Sequence, residues 1–368
     1  MTAFDALGSV LFRLPGAIER GKAIPEGRVK QILVIRIDSL GDGILTLPAV
    51  QHLKKRFPNA RIDFLVSASI DELYRILFPG STIHVFERNW LTEGILVREA
   101  IVEFLRFAKR LSGFHYDLAI DFRGDLRTIL LMKQMGAPSR WGREGTGGRF
   151  LLTRSVPHSS ERHEVFENLA LVLENGAVEA TKFPRIPMPR QASELIEKIL
   201  QRLKGVTKII IHPGAGYASK RWPTGNFVEL AKRIQKTKLG IPIFVGTEKE
   251  KKLLAAYESE LRKDIVVLAG KTSLNDLLAV LAQGDLFIGN DSGPAHLGAL
   301  MGLKLVVVFS GTNDFRKWAP WSSTLRIVNH PVPCSPCGEK ICPLERHFCM
   351  EDISVDEVLR AVEEMLHG

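Results

Sequence analysis

An aspartate flanked by glycines follows the first strongly apolar run of the chain. The sequence Arg-Ile-Asp-Ser-Leu-Gly-Asp-Gly comes directly after the run Gln31–Ile35. Gly41 and Gly43 would permit a tight turn and a close approach of backbone to a ligand. A carboxylate at Asp42 could act as a general base on a substrate hydroxyl, or it could only cap a helix. The segment is not a dinucleotide fingerprint, because Thr46 stands where the third glycine would be.

A second glycine-bearing segment stands in the other half of the chain, again after an apolar run. Gly214 and Gly216 lie in the sequence His-Pro-Gly-Ala-Gly-Tyr-Ala-Ser-Lys, which ends with Ser219 and Lys220. Backbone amides of such a turn can cradle phosphate oxygens, and a lysine adds a point charge. The pattern is close to a dinucleotide-binding motif but lacks its last glycine. By itself it permits a phosphate site without establishing one.

A third segment of this kind, residues 289–296, reads Gly-Asn-Asp-Ser-Gly-Pro-Ala-His. Its proline suits the first position of a helix, so the free amides of Ser292 and Gly293 would point at a bound phosphate. Asp291 could bind hydroxyl groups of a ligand. His296 would lie in the first helical turn, where a lone histidine is usually structural. The neighbouring residues of the motif favour a role for His296 in a ligand-binding site.

These segments share one position, because each follows a short apolar run that predicts a buried parallel strand. The loop 309–314, which contains Thr312, has the same position and would add another wall to the site. Apolar runs alternate with helical patterns in both halves, as in βαβ units. Ligands of such sheets bind outside the carboxyl ends of the strands. The sequence therefore predicts an α/β protein of two doubly wound, Rossmann-like domains that face a cleft.

The domain boundaries follow from composition and periodicity. Three prolines lie within residues 183–190, and prolines at this density favour a stiff, extended linker. In the first half, helical spacing runs from Ile44 to Phe57. Ser354 and Glu357 predict a capping box at the start of the last helix. The predicted organisation is an N-terminal amphipathic segment at 1–27, an N-terminal domain at 28–183, a linker at 184–190, a C-terminal domain at 191–352 and a final helix at 353–368.

The four cysteines fall within sixteen residues, at Cys334, Cys337, Cys342 and Cys349. Disulfides are disfavoured in the cytoplasm, so bound metal and reduced, packed thiols are the alternatives. The spacing is not that of two Cys-x2-Cys knuckles. A structural metal at these cysteines is therefore left open, and no other cofactor is expected.

Composition limits the class of protein. The 368 residues carry a net charge of +9, and 45% of them are hydrophobic, which suits a globular protein of two domains with an anionic partner. No uncharged apolar run is long enough to cross a membrane, and the N-terminus lacks the features of a signal peptide. We expect a cytoplasmic protein. Basic and aromatic residues are not interleaved as in nucleic-acid sites. The segment 1–27 either packs on the body or contacts the inner membrane leaflet.

Taken together, the motifs resemble glycosyltransferase family 9, the ADP-heptose:lipopolysaccharide heptosyltransferases. The resemblance runs in order from about residue 30 to about residue 360. It rests on Ile35–Asp42 with Leu47 and Pro48, on His212–Gly216 with Ser219–Pro223, on Asn290–Leu297, and on Cys334–Cys337 with Cys342–Leu344.

The resemblance implies the GT-B architecture and an inverting, metal-independent transfer of heptose from ADP-heptose to the lipopolysaccharide inner core. It makes Asp42 the catalytic base and Lys220 the contact to donor phosphate, and it places Glu250 at the nucleoside. The remaining donor-binding residues that it implies are Ser219, Asp291, Ser292, Gly293, His296 and Thr312. The sequence Phe-Ser-Gly-Thr at 309–312 departs from the Phe-Gly-Pro-Thr often found in the family. The departure affects the donor contacts that the resemblance implies for this loop.

Other functions remain open at this point. A family member with another nucleotide sugar or acceptor would carry the same motifs. A nucleotide-sugar epimerase of the same architecture would need no acceptor. A binding protein that kept the fold without catalysis is disfavoured, because Asp42, Lys220 and Asp291 are all present.

Overall fold

The computed structural model describes residues 25–86, 97–145, 147–157, 159, 161–173, 192–261 and 265–368. The chain divides into two units, Met1–Pro184 and Arg185–Gly368. The predicted linker and residues 1–24 of the predicted N-terminal segment lie outside the described residues. Within the described ranges, no helix has both the length and the apolar character needed to cross a membrane.

The first unit contains a six-stranded parallel sheet in the order β3-β2-β1-β4-β5-β6. The interior residues of the central strand β1 are all apolar and buried. This pattern is typical of a parallel sheet, because helices cover both of its faces. The strands are β1 Gln31–Arg36, β2 Arg61–Ser67, β3 Ile83–Phe86, β4 Leu118–Asp121, β5 Ser139–Glu144 and β6 Arg154–Pro157.

The second unit repeats this arrangement with a second six-stranded parallel sheet, in the order β12-β11-β10-β7-β8-β9. Counted within each unit, both sheets have the strand order 3-2-1-4-5-6 of the dinucleotide-binding fold. The strands are β7 Lys208–His212, β8 Ile241–Phe244, β9 Val266–Val267, β10 Leu286–Asn290, β11 Lys304–Phe309 and β12 Leu325–Asn329. The prediction of two doubly wound α/β domains is confirmed.

Helices connect the strands in both units. In the first unit they are α1 Leu40–Arg56, α2 Ala68–Leu77, α3 Val97–Ser112, α4 Leu126–Gln134 and α5 Glu164–Val172. In the second they are α6 Glu194–Arg202, α7 Thr224–Lys236, α8 Glu248–Ala255, α9 Leu274–Ala282, α10 Gly293–Leu300, α11 Phe315–Trp318, α12 Phe348–Glu351 and α13 Val355–His367. The predicted capping box of the last helix is present, and α13 packs on α7 and β11 inside the second unit.

Each sheet has one point where the strand order reverses, and the predicted motifs lie there. In the first unit this point is between β1 and β4, and Asp42 follows β1. In the second it is between β7 and β10, and Lys220 follows β7 while Asp291 follows β10. Crevices at such points are where doubly wound sheets bind ligands. The topology thus gives each unit one expected ligand-binding edge.

Two strands of the first unit, β5 and β6, were not predicted. The interior of β5 buries Arg140 and Arg143, so it lacks the apolar run that marks a parallel strand. Arg140 donates from Nε to the carbonyl of Leu151 at 2.7 Å and from Nη1 to that of Ala137 at 2.5 Å. These backbone acceptors satisfy a guanidinium that would otherwise be costly to bury. The prediction also missed α6, α11, α12 and β12.

A buried charge network joins β1, β5 and α5. The carboxylate of Glu164, 1% exposed, accepts from Arg36 Nη2 at 3.0 Å and from Arg143 Nη1 at 2.9 Å. Arg143 Nη2 also donates to Asn168 Oδ1 at 2.6 Å, and Asn168 Nδ2 donates to the carbonyl of Leu45 in α1 at 3.0 Å. One carboxylate therefore compensates two buried guanidinium groups from different strands.

We predict that Glu164→Leu destabilises the first unit by about 3–5 kcal/mol, because it leaves two buried arginines without their shared counter-charge. The measurement is the free energy of unfolding from denaturant titration. The matched control is Glu161→Leu, since Glu161 is an exposed glutamate three residues earlier. Equal stability of the two variants would contradict the account of this network.

Candidate functional site

Asp42 lies in the first turn of α1, at the carboxyl end of the central strand. Ser39 caps the helix, and the Oδ2 of Asp42 accepts from the Ser39 amide at 3.1 Å and from its hydroxyl at 2.6 Å. This reciprocal capping box starts the helix at Leu40, four residues before the predicted start. The helix-capping role considered for Asp42 is therefore real. It also gives the carboxylate a fixed direction.

The two glycines beside Asp42 lie within this helix and do not form the tight turn that was predicted. A Cβ at Gly43 would lie 3.0 Å from Ile70 of α2, and the hydroxyl of Tyr74 donates to the Gly43 carbonyl at 2.8 Å. Gly41 is also buried in the first turn. Because Gly43 has no side chain, α1 can pack closely on α2. This role differs from the tight turn that was predicted.

The guanidinium of Arg36 organises this edge of the first sheet. Arg36 is 2% exposed, and its Nη1 donates to the carbonyl of Phe122 at 2.6 Å. Its Nη2 pairs with Asp42 Oδ1 at 3.1 Å and with Glu164 Oε1 at 3.0 Å. Burial opposes the charge, but Asp42, Asp38 and Glu164 together raise the pKa of Arg36. The remaining oxygen of Asp42 is thus held by a permanent cation.

A second carboxylate, that of Asp38, lies at the same guanidinium. Its Oδ2 is 3.3 Å from Arg36 Nε, and its Oδ1 is 2.8 Å from Arg123 Nη1. The side chains of Asp38 and Asp42 are each 18% exposed, so both are accessible to a small group. Burial raises the pKa of Asp38, against the effect of Arg36. Neither Asp38 nor Arg123 was predicted as a site residue, because their ion pair depends on the loops after β1 and β4 lying side by side.

The neighbouring strand β4 ends in an aspartate that shapes its own loop. Asp121 is fully buried and accepts from the amides of Arg123, Gly124 and Asp125 at 3.0–3.1 Å and from the hydroxyl of Thr128 at 2.8 Å. Burial raises its pKa to about 6. These bonds fix the loop that carries Arg123 beside Asp38, which makes Asp121 a structural residue of this edge.

In the second unit, the buried amide of Asn290 joins two of the predicted motifs. Its Oδ1 accepts from the amide of Trp222 at 2.9 Å, and its Nδ2 donates to the carbonyls of Pro213 and Gly214 at 2.9 and 3.1 Å. Asn290 is 0% exposed, and all of these partners belong to the segment after β7. The side chain therefore holds the loop after β7 against the end of β10.

Lys220 and Asp291 form an ion pair where these two loops meet. Lys220 Nζ lies 2.6 Å from Asp291 Oδ2, and Asn313 Nδ2 donates to the same oxygen at 3.1 Å. Asp291 immediately precedes Ser292, the N-cap of α10, so the free amides of that helix lie beside the pair. A lysine charge and a helix N-terminus at one place form a site suited to a phosphate group.

Glu250 lies behind the glycines of the loop after β7. Its Oε2 accepts from the amide and the hydroxyl of Thr247, both at 2.7 Å, in the capping box of α8. A Cβ at Gly214 would come within 2.2 Å of Glu250 Oε1, so any side chain at this position would displace the Glu250 carboxylate. Although burial opposes ionisation, the bonds to Thr247 and the nearby His212 lower the pKa of Glu250. Burial lowers the pKa of His212, so this histidine is neutral near pH 7.

Three of the predicted donor-binding side chains are hydrogen-bonded within the protein or buried, namely those of Ser219, Thr312 and His296. Ser219 donates from Oγ to the carbonyl of Glu339 at 2.5 Å, and Thr312 donates from Oγ1 to the carbonyl of Ser219 at 3.3 Å. Both hydroxyl groups therefore join loops of the site to one another. His296 is 5% exposed within the first turn of α10. A Cβ at Gly216 would meet no atom of a non-adjacent residue within 4 Å, so this glycine borders open space.

The four cysteines are free thiols with different environments. Cys334 and Cys337 are exposed, Cys342 is half-buried and Cys349 is buried. Burial raises the pKa of Cys349, as do the other three cysteines around it. Across the described ranges, no group of three or more histidine, cysteine or acidic side chains has an arrangement that could hold a metal ion. Bound metal and reduced, packed thiols stay the two alternatives for these cysteines.

Known proteins are similar to this chain in sequence and in fold. A lipooligosaccharide heptosyltransferase 2 of Campylobacter jejuni is 28% identical over 332 residues, covering 89% of this chain and 95% of that protein. The structure of E. coli ADP-heptose LPS heptosyltransferase II superimposes with a TM-score of 0.72 at 22% identity, over 92% of this chain and 98% of that one. A family 9 glycosyltransferase from Veillonella parvula gives 0.74 at 19% identity, over 92% and 97%. The predicted GT-B fold is thereby confirmed.

The family assignment rests on the central part of the chain. The model of glycosyltransferase family 9 (heptosyltransferase) matches residues 104–347, a range that includes the segments of Lys220 and Asp291 and all of the cysteines except Cys349. With the strand order of both sheets and the ion pairs at their edges, this match confirms the resemblance found in the motifs. The chain is an enzyme of the transferase class and belongs to glycosyltransferase family 9, the heptosyltransferases.

Proposed function

We propose that this enzyme transfers a heptose from ADP-heptose to a sugar acceptor of the lipopolysaccharide inner core. Relatives over most of the chain length are named lipooligosaccharide or lipopolysaccharide heptosyltransferases. The observation that carries the proposal is the Lys220–Asp291 ion pair at the N-terminus of α10, which suits the diphosphate of a nucleotide sugar. In this proposal the acceptor hydroxyl is activated at the Asp42 carboxylate of the first unit, which Arg36 and Ser39 hold.

The acceptor hydroxyl is activated by Asp42 in this proposal. As the hydroxyl oxygen attacks the anomeric carbon, its proton moves to a carboxylate oxygen of Asp42. The capping box directs this carboxylate, and Arg36 holds it in the ionised form that a base requires. Attack opposite the nucleotide inverts the anomeric configuration of the heptose. Asp38 lies at the same guanidinium and is the alternative base.

The leaving group is ADP. The bond between the anomeric carbon and the β-phosphate oxygen breaks as the new glycosidic bond forms, and the charge gained by that oxygen needs stabilisation. The ammonium of Lys220 and the amides of Ser292 and Gly293 supply it, so the reaction proceeds without a resident metal ion. Asp291 aims the Lys220 ammonium through their ion pair. In this proposal Glu250, which Thr247 holds behind Gly214, contacts the nucleoside.

The cellular setting extends the same proposal. A lipopolysaccharide-core acceptor is a phosphorylated glycolipid, and the net charge of +9 suits an enzyme that works at an anionic surface. We place the enzyme in the cytoplasm, in peripheral contact with the inner membrane leaflet. The apolar face predicted within 1–27 would make that contact. Vesicle flotation of the full chain and of a chain lacking residues 1–27 tests this part, and equal flotation of both would exclude the segment.

We predict that Asp42→Asn lowers kcat for heptose transfer by about 10²–10⁴-fold, the usual contribution of a general base, while ADP binding is unchanged. The amide keeps the shape of the carboxylate but cannot take the proton. The measurement is steady-state transfer combined with calorimetric binding of ADP. Asp38→Asn is the matched variant, because it removes the other carboxylate at Arg36. A larger loss in Asp38→Asn than in Asp42→Asn would show that the base is assigned to the wrong residue.

We predict that Lys220→Ala weakens ADP binding about 10- to 100-fold, as expected for the loss of a charge-assisted contact to phosphate. The dissociation constant of ADP is measured by calorimetry. Lys232→Ala is the control with the same change of charge, since Lys232 is paired with Glu229 and Glu260 on the surface. An ADP dissociation constant that is the same in Lys220→Ala and in the wild type would remove Lys220 from the donor site.

A further inference from the structure

The segment that carries the cysteines, Cys334–Cys349, is bonded to the loop of Lys220. The amide of Ser219 donates to the carbonyl of Lys340 at 3.2 Å, and the hydroxyl of Ser219 donates to the carbonyl of Glu339 at 2.5 Å. Ser219 is 2% exposed, so these bonds are shielded from water. The residue directly before Lys220 is therefore fixed by the cysteine segment.

The same segment is also bonded to the loop after β11. The amide of Cys337 donates to the carbonyl of Gly311, and that of Gly338 donates to the carbonyl of Thr312, both at 3.0 Å. Gly338 has a φ of 71°, a conformation that favours glycine. Two loops of the donor site thus rest on residues 337–340, a stretch of chain that ends with Lys340.

An exposed aromatic ring lies within cation–π distance of two ammonium groups at this place. Lys220 Nζ is 5.8 Å from the centroid of the Tyr217 ring, and Lys340 Nζ is 5.6 Å from the same centroid. Tyr217 is 41% exposed, so its ring borders solvent where a ligand would enter. A ring face attracts cations at such distances, so both ammonium groups are drawn to the same ring.

The two lysines differ in their counter-charges. Lys220 is paired with Asp291 at 2.6 Å. Within the part of the chain that the structure describes, no carboxylate forms an ion pair with Lys340, and this side chain is exposed. The pair of lysines therefore carries one positive charge more than Asp291 neutralises. An anionic group that binds at Tyr217 would supply the missing negative charge.

We propose that Lys340 is a second cation for the diphosphate of the donor. A diphosphate carries anionic oxygens on both phosphorus atoms, so it can engage Lys220 through one phosphate and Lys340 through the other. Both ammonium groups lie at the Tyr217 ring, and the bond from the Ser219 amide fixes the backbone of Lys340. The cysteine segment thereby becomes one wall of the donor site. This inference rests on the proposed nucleotide-sugar donor but does not depend on which nucleoside it carries.

The test is calorimetric binding of ADP, adenosine and inorganic pyrophosphate to the full chain, with the thiols kept reduced. In Lys340→Ala we expect the dissociation constants of ADP and pyrophosphate to rise about tenfold, with adenosine unchanged. Lys340→Arg should keep most of the affinity because it keeps the charge. Lys204→Ala is the matched control, since Lys204 is an exposed lysine of the same unit, near the end of α6.

Unchanged ADP and pyrophosphate binding in Lys340→Ala would overturn the inference. An equal loss of adenosine affinity would also overturn it, because it would show a general distortion of the loop. If the wild type prefers UDP or GDP to ADP, the proposed donor fails. The effect of Lys340→Ala on the preferred diphosphate then still decides whether Lys340 binds that group.

Discussion

Ion pairing at the carboxyl ends of the central strands fixes both side chains on which the proposed chemistry depends. In the first unit, the buried Arg36 guanidinium holds Asp42 and is itself compensated by Glu164. In the second, Asp291 holds Lys220 beside the N-terminus of α10. A catalytic base must stay ionised, and a nearby cation favours its ionised form. A phosphate-binding cation must keep its direction, and a nearby carboxylate holds it there. Both pairs are largely shielded from water, which strengthens the electrostatic coupling.

The doubly wound fold explains why these pairs lie where they do. A parallel sheet brings all strand carboxyl ends to one edge, and the reversal of strand order opens a crevice there. Polar residues at that edge need partners, and they find them in neighbouring loops. Asp121 shapes the loop after β4 from within, and Asn290 joins the loops after β7 and β10. The cysteine segment continues this pattern, because its backbone carbonyls receive the hydrogen bonds of Ser219.

Local sequence pattern was sufficient for much of the fold and for the anchors of the site. β1 and β10 follow from apolar runs, and α13 follows from its Ser354–Glu357 capping box. Strand β5 was missed because its burial depends on partners outside the strand, such as the Leu151 carbonyl bonded to Arg140. Local pattern also does not predict the ion pair of Arg36 with Glu164, because Glu164 lies 128 residues away in the sequence. The family resemblance predicts Ser219 as a donor contact, whereas its bond to the Glu339 carbonyl, 120 residues away, is beyond the reach of local pattern.

The most direct test of the central claim is the release of ADP from ADP-heptose, measured with and without a Kdo-bearing inner-core acceptor. UDP- and GDP-sugars serve as donor controls. The account predicts ADP release that requires the acceptor and forms one glycosidic bond per ADP, with little release from the control donors. Absence of ADP release with the acceptor present, despite tight ADP binding, would contradict it. Equal release with and without acceptor would contradict the transferase assignment and indicate hydrolysis.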